Sequence, residues 1–114
     1  MIRLQEGYRG DGEVLFGVGQ VVRHRRYGYR GVVVALTGCF EGSEEWYRKN
    51  QTQPPKDQAW YHVLVDGSPS VTYAAESSLE ADDLGEGVSH PLLEMFFSGF
   101  EGGRYVRNEV PWEL

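Results

Sequence analysis

The segment that most constrains the fold is residues 19–36, with the sequence GQVVRHRRYGYRGVVVAL. Two runs of valine in this segment flank a short polar turn that contains Gly28. Valine favours the half-buried pleated surface of a sheet, and glycine supplies the positive φ that a tight reversal commonly needs. The segment therefore predicts a β-hairpin with strands over residues 20–24 and 29–36, and its tip is rich in arginine and tyrosine.

Later parts of the chain show the same alternation of short apolar runs and turn residues. WYHVLVD (residues 60–66) and SVTYAA (residues 70–75) predict two more strands, and the Gly-Ser-Pro turn between them predicts antiparallel pairing. One short helix is predicted over residues 43–49, and a second begins with Ser89 or His90 as its cap. Short strands, tight turns and two capping helices around one core are typical of a small, strongly bent sheet or barrel.

The aromatic residues of the first predicted helix leave two interpretations open. Ser43 is expected to cap this helix, which is too short to be stable alone. Trp46 or Tyr47 must therefore dock against the rest of the chain, and we expect one of them to fill the core. The alternative is an exposed aromatic side chain that binds a partner.

Length and charge limit the organisation of the chain and its classes of ligand. The 114 residues correspond to one domain. We predict a flexible arm over residues 1–16 and the domain over residues 17–114. Binding to nucleic acid through phosphates normally requires a basic surface, which the formal net charge of −6 opposes. However, four of the 11 Lys and Arg residues lie within residues 23–30, so a local basic patch on an acidic protein is predicted.

The sequence carries no signal for export or for membrane insertion. There is one cysteine, Cys39, so an intrachain disulfide cannot form, which fits a reducing compartment. No apolar run approaches the ~18–20 residues of a membrane span, and the first residues lack the apolar segment of a secretory signal. We therefore expect a cytoplasmic protein without membrane contact, with an organelle stroma or the nucleus as alternatives.

The motifs of enzymes and of metal or cofactor sites are not found in the sequence. The three histidines are far apart, and no Cys-x-x-Cys or His-x-x-x-His spacing occurs. Cys39 is interpreted as a small buried thiol. No glycine-rich stretch has the strand–loop–helix context of a phosphate site. We therefore expect no catalytic site, no metal ion and no cofactor.

Acidic residues are plentiful but form no catalytic pair in the sequence. The adjacent acids at positions 44–45 and 82–83 lie on segments that we expect to be exposed and solvated. Glu76 follows an apolar run and is expected to be half buried near an arginine such as Arg23. We expect Glu76 to form an ion pair or a turn hydrogen bond, and a part in binding is the alternative.

The tip of the predicted hairpin is the strongest candidate for a binding surface. Its arginines can pair with carboxylates or phosphates, and its tyrosines add rigid contact area. The alternative is that the arginines pair with acids of this chain and that the tyrosines fold back onto the sheet. A groove beside the third and fourth strands is the second part of the predicted surface. The candidate binding residues are Arg23, His24, Arg25, Arg26, Tyr27, Tyr29, Arg30, Trp60, Tyr61, Tyr73 and Glu76.

Three motifs in this order resemble a known family. They are GQVVRHRRYGYRGVV (residues 19–33), WYHVLVD (residues 60–66) and YAAE (residues 73–76). Together they are similar to the YccV/HspQ-like domain, also called the hemimethylated-DNA-binding domain, and the similarity extends over residues 18–110. The segments SEEW and HPL resemble the longer versions found in F-box proteins and plant Clp-protease adaptors more than the short bacterial heat-shock protein.

The resemblance implies a mainly β fold, an SH3-like small bent barrel of about five strands without enzymatic activity. It also implies either DNA binding or an adaptor function that helps a protease or a ubiquitin ligase choose substrates. The acidic net charge favours a protein partner, such as a protease, chaperone or ligase component, over DNA. We therefore expect a protein-interaction module, and binding of hemimethylated DNA through the hairpin tip is the alternative.

Overall fold

The computed structural model, which describes residues 14–113, contains seven β-strands and two short α-helices. The strands are β1 (Val21–His24), β2 (Arg30–Thr37), β3 (Trp60–Val65), β4 (Val71–Ala75), β5 (Leu79–Ala81), β6 (Phe97–Glu101) and β7 (Arg104–Arg107). The helices are α1 (Glu44–Lys49) and α2 (Leu93–Phe96), and a 3-10 turn at Glu76–Ser78 joins β4 to β5. Strands β1 to β5 form one antiparallel sheet in the order β4-β3-β2-β1-β5, and β6 pairs with β7 in a second sheet. The prediction of a mainly β, SH3-like fold of about five strands with two short helices is confirmed.

The first hairpin forms where the valine runs and the turn glycine predict it. The N–H group of His24 donates to the carbonyl of Tyr29 at 2.8 Å, and Gly28 N–H donates to the carbonyl of His24 at 2.9 Å. Gly28 has a φ of +78°, the left-handed conformation that glycine adopts at little cost. Both strands of the hairpin begin one residue later than predicted, a shift within the usual uncertainty of strand ends.

The apolar centre of strand β2 is buried on both faces. Val33 packs on one face in a cluster with Val22, Tyr61, Val63 and Leu79. Val32 and Val34 pack on the other face against residues of β3, α2 and β6, namely Leu64, Phe96 and Phe97. The molecule therefore has one core inside the curved sheet and a second core between the sheet and the α2–β6 segment.

The second helix begins later than predicted. It starts at Leu93, and its cap, Leu92, makes no side-chain capping bond, so neither Ser89 nor His90 caps it. The buried His90 instead accepts the N–H of Leu92 at Nδ1 (3.1 Å), and its Nε2 lies 2.9 Å from the carbonyl of Ser70. His90 therefore ties the loop before α2 to the residue that precedes β4.

The residues just before β1 contribute to the core. Phe16 is 6% exposed, and its ring meets that of Tyr61 edge-on with 5.5 Å between centroids. Its neighbour Leu15 is 72% exposed. Most of the arm predicted over residues 1–16 lies outside the described residues, but its last residue is a core residue.

Cys39 does not have the environment expected from the sequence. The interpretation as a buried thiol is wrong, because the Cys39 side chain is exposed at the end of β2. The adjacent acids Glu44 and Glu45 are exposed on α1 as predicted. Each of them forms an i,i+4 ion pair, with Arg48 and Lys49 respectively. These two pairs stabilise the short helix at the surface.

Candidate binding groove

A histidine organises the tip of the first hairpin. His24 Nδ1 accepts the N–H groups of Arg26 and Tyr27, each at 3.1 Å. The imidazole also stacks on the Tyr27 ring, with 4.7 Å between centroids, and lies 5.1 Å from the Tyr29 ring. Burial, and secondly the charge of Arg26, hold the pKa of His24 below its usual value. The tip is therefore shaped around a neutral imidazole whose Nδ1 is an acceptor.

The stability of the protein is expected to fall as the pH drops below 6.5, the ordinary pKa of histidine. Because the pKa of His24 is lowered by folding, the unfolded chain takes up the proton first as the pH falls. The contribution of His24 is therefore complete above pH 6.5 and is lost as the pH falls through the pKa of the folded state. Urea unfolding between about pH 7.5 and 5.5 measures this dependence, and His24→Gln should reduce it. The pKa of His62 is also lowered by burial, so a smaller dependence remains in that variant. An unchanged pH dependence in His24→Gln would contradict the prediction.

Two of the tip arginines are held by a buried carboxylate. Asp82 has a side chain that is only 2% exposed, and its two oxygens accept from Arg23 and Arg30, each at 2.9 Å. Arg30 also donates to the Asp66 carboxylate at 3.2 Å. Burial opposes the charge of Arg30, but the hydrogen bond and charge of Asp82 raise its pKa overall. The prediction that Asp82 is solvated is wrong; Asp83 beside it is exposed.

The other two arginines of the tip remain at the surface. Arg25 donates from Nε to the carbonyl of Leu79 at 3.1 Å, and its guanidinium lies 3.4 Å from the Glu80 carboxylate. Arg26 is exposed, with its guanidinium 5.7 Å from the centre of the Tyr27 ring. Only half of the predicted arginine cluster is therefore available to a ligand.

Aromatic side chains from α1, β3 and β4 form a cluster beside the tip. Phe40 lies at its centre, with its ring centroid 4.9 Å from that of Trp60 and 5.8 Å from that of Trp46. Tyr73 lies 5.3 Å from Trp60 and 5.9 Å from Trp46. Helix α1 has no buried residue, and Trp46 is 39% exposed. The expectation that Trp46 or Tyr47 fills the core is therefore wrong, and the open alternative of an exposed aromatic residue describes Trp46.

The aromatic cluster and the tip together line a groove of about 810 Å³. Of the described residues that line the groove, Glu41 is the only Asp, Glu, Lys or Arg. The groove also contains His62, whose pKa is lowered by burial, although the charge of Glu41 acts in the opposite direction. Five of the predicted binding residues line the groove, namely His24, Tyr27, Tyr29, Trp60 and Tyr73.

Two of the predicted binding residues lie in the interior instead. Tyr61 is fully buried, and its hydroxyl donates to the Glu76 carboxylate at 2.7 Å. The same carboxylate oxygen accepts the N–H of Leu15 at 2.9 Å. The side chains of Tyr61 and Glu76 therefore connect β3 to the segment that enters β1, and they are not part of the groove lining.

Several groove residues were not among the candidates from the sequence. Trp46 was considered only as an alternative, and Glu41, His62 and Trp112 were not proposed as binding residues. The sequence did contain a signal for His62. Paired residues on neighbouring strands share one face of the sheet, and His62 of β3 pairs with the candidate residue Tyr73 of β4. Trp112 lies outside regular elements, so no periodic pattern marks it.

Neither a metal cluster nor a membrane span is found in the part of the chain that the structure describes. No group of three or more His, Cys, Asp or Glu side chains in residues 14–113 is close enough to hold a metal ion. None of the helices in this range is long and apolar enough to cross a membrane.

Comparison with known proteins assigns this chain to a family. Residues 14–104 match the family model described as "Hemimethylated DNA-binding protein YccV like". The chain belongs to the YccV-like family. The resemblance predicted from the three sequence motifs is thus confirmed. Of the groove residues, Trp112 lies beyond the matched range.

F-box proteins are among the relatives of this YccV-like chain. It is 34% identical to F-box only protein 21 of Mus musculus over 110 residues, which is 94% of this chain and 17% of that protein. The Homo sapiens and Pongo abelii proteins of the same name are each 33% identical over the same shares. The chain therefore spans only 17% of the length of these relatives.

Proposed function

We propose that this YccV-like chain is a non-enzymatic protein-interaction module that acts as an adaptor in protein quality control, where it helps a protease or a ubiquitin ligase choose substrates. The observation that supports this most strongly is the aromatic groove between the hairpin tip and α1. Tryptophan and tyrosine dominate the binding energy of protein interfaces because they bury a large area with few rotatable bonds. Trp46 offers such a side chain on a helix that has no buried residue.

The relatives and the charge of the chain support a protein partner. The printed name of the mouse, orangutan and human relatives is F-box only protein 21. This name supports a role beside ubiquitin-ligase components. The net charge of −6 repels a phosphate backbone. Asp82 also neutralises part of the basic patch, since Arg23 and Arg30 both bind it.

DNA binding is the second candidate function. The description of the family model, a hemimethylated DNA-binding protein, supports it. So does the exposure of Arg25 and Arg26 at the tip of the first hairpin. Phosphate contacts by these two residues would make the affinity fall steeply with salt concentration.

A pull-down from the source cell, with and without nuclease, tests the two functions. We expect recovery of protease, chaperone or ligase subunits that nuclease does not affect. Trp46→Ala should weaken their binding about 10- to 30-fold, because truncation of a hot-spot aromatic costs about 2 kcal/mol. Leu84→Ala is the matched control, because Leu84 is 58% exposed and does not line the groove.

Two results would contradict the adaptor function. One is equal recovery of the partner by the Trp46→Ala variant and the wild type. The other is recovery that nuclease abolishes and that the double variant Arg25→Glu, Arg26→Glu loses. That second pattern would support DNA binding through the tip.

A further inference from the structure

Among the described residues, strand β4 forms one edge of the five-stranded sheet and is paired only with β3. Two hydrogen bonds define which of its residues face β3. The N–H of Val65 donates to the carbonyl of Ser70 at 3.1 Å, and the N–H of Glu76 donates to the carbonyl of Ala59 at 2.9 Å. In an antiparallel pair, main-chain groups of alternate residues point toward the partner strand. The even-numbered residues of β4 therefore bond to β3.

The odd-numbered residues of β4 consequently point their main-chain groups away from β3. Of these residues, Val71 and Tyr73 are half-buried and therefore partly accessible, whereas Ala75 is buried. Within residues 14–113, the main-chain N–H and C=O groups of Val71 and Tyr73 make no hydrogen bond outside the pairing of β3 with β4. Such an edge can accept an additional strand from another chain.

The open edge of β4 lies inside the groove. All five residues of β4 line it, together with the aromatic residues of the neighbouring cluster. The indole N–H groups of Trp60 and Trp112, which also line the groove, are buried and have no acceptor among the described residues. Buried donors of this kind are rare in proteins. A peptide in the groove would bring main-chain carbonyl oxygens close to these two indole N–H groups.

The charge of the groove selects for a basic side chain. Glu41 is the only Asp, Glu, Lys or Arg among the lining residues in positions 14–113, and the Glu41 N–H donates to the Tyr73 hydroxyl at 3.0 Å. This bond places the main chain of Glu41 at the Tyr73 hydroxyl, and the charge of Glu41 acts on His62 in the same lining. A cation above an aromatic face is attracted by the ring, with Trp and Tyr the strongest partners. A carboxylate and aromatic rings that share one lining are the groups that an ammonium or guanidinium ion prefers.

We propose that the groove binds an extended peptide segment that carries a lysine or arginine side chain. Its main chain pairs with the open edge of β4, and its cation lies beside Glu41 above the rings of Trp46 and Tyr73. This inference rests on the proposed function and specifies the class of segment that the adaptor recognises.

Selection of random nonapeptides displayed on phage against the 114-residue chain tests the proposal. We expect the selected peptides to be enriched at least about threefold in Lys and Arg, a preference worth about 0.7 kcal/mol. Glu41→Gln should remove this enrichment while peptides are still selected. Glu45→Gln is the matched control, because Glu45 is acidic and exposed but does not line the groove, and it should keep the enrichment.

The outcomes separate this inference from the proposed function. Peptides that are selected without basic residues would overturn the inference and leave the interaction module intact. If the wild-type chain selects no peptide, the proposed function falls, and the inference falls with it.

A second measurement tests the added strand itself. N-methylation of single amides along a selected peptide should weaken binding at least about tenfold at alternate positions, because every second amide bonds to β4. Equal tolerance of N-methylation at all positions would overturn the added strand.

Discussion

Replacement of Asp82 with alanine is expected to lower the free energy of unfolding by about 3 kcal/mol. The side chain of Asp82 is 2% exposed and bridges Arg23 on β1 and Arg30 on β2. Its loss leaves the guanidinium of Arg30, which is 14% exposed, without its principal carboxylate. Removing one partner of a buried ion pair costs more than the pair itself contributes, because the remaining charge stays desolvated. The effect stays at the lower end of the usual range, because Arg30 keeps Asp66 at 3.2 Å.

Urea denaturation measures this change as a lower midpoint at an unchanged m-value. Asp83→Ala is the control, since the neighbouring side chain is exposed and such substitutions usually change stability by less than about 0.5 kcal/mol. The control also has the same net charge as Asp82→Ala. If the two variants unfold at the same urea concentration, Asp82 does not hold the hairpin to β5.

Phe16→Ala is expected to destabilise the protein by about 3 kcal/mol, because it removes a buried aromatic ring from the inner core. The Phe16 ring is 6% exposed and packs edge-on against Tyr61, 5.5 Å away. The cavity that it leaves lies between the sheet and the segment before β1, where the backbone can close it only in part.

The adjacent Leu15 supplies the control for this prediction. Its side chain is 72% exposed, so Leu15→Ala should change the free energy of unfolding by less than about 0.5 kcal/mol. Thermal and urea unfolding of the two variants gives the comparison directly. Equal stability of both variants would mean that the segment before β1 behaves as an arm and adds nothing to the core.

The local structure was predicted well from the sequence. The valine runs and Gly28 predicted the first hairpin, and the observed φ of Gly28 agrees with that role. Ser43 and the charges that follow it predicted α1, whose Ser43 side chain accepts the N–H of Trp46 at 3.0 Å. These signals act over a few residues, so they are readable without knowledge of the rest of the fold.

The environment of the candidate site was predicted less well. The tip was expected to display four arginines, but Asp82 binds two of them across 59 and 52 residues of chain. The acidic segment that contains Asp82 has the composition of a solvated loop. Composition alone does not reveal that one of its carboxylates is buried between two strands.

The residue types and their spacing were sufficient for the mainly β class, the first hairpin and the first helix, and the resemblance of three motifs was sufficient for the YccV-like family. The groove, the burial of Asp82 and the place of Phe16 in the core depended on the assembled molecule. The reason is physical: strand and turn preferences come from neighbouring residues. A contact between distant segments is decided by which surfaces meet when the sheet curves, and such contacts leave no periodic pattern in the chain.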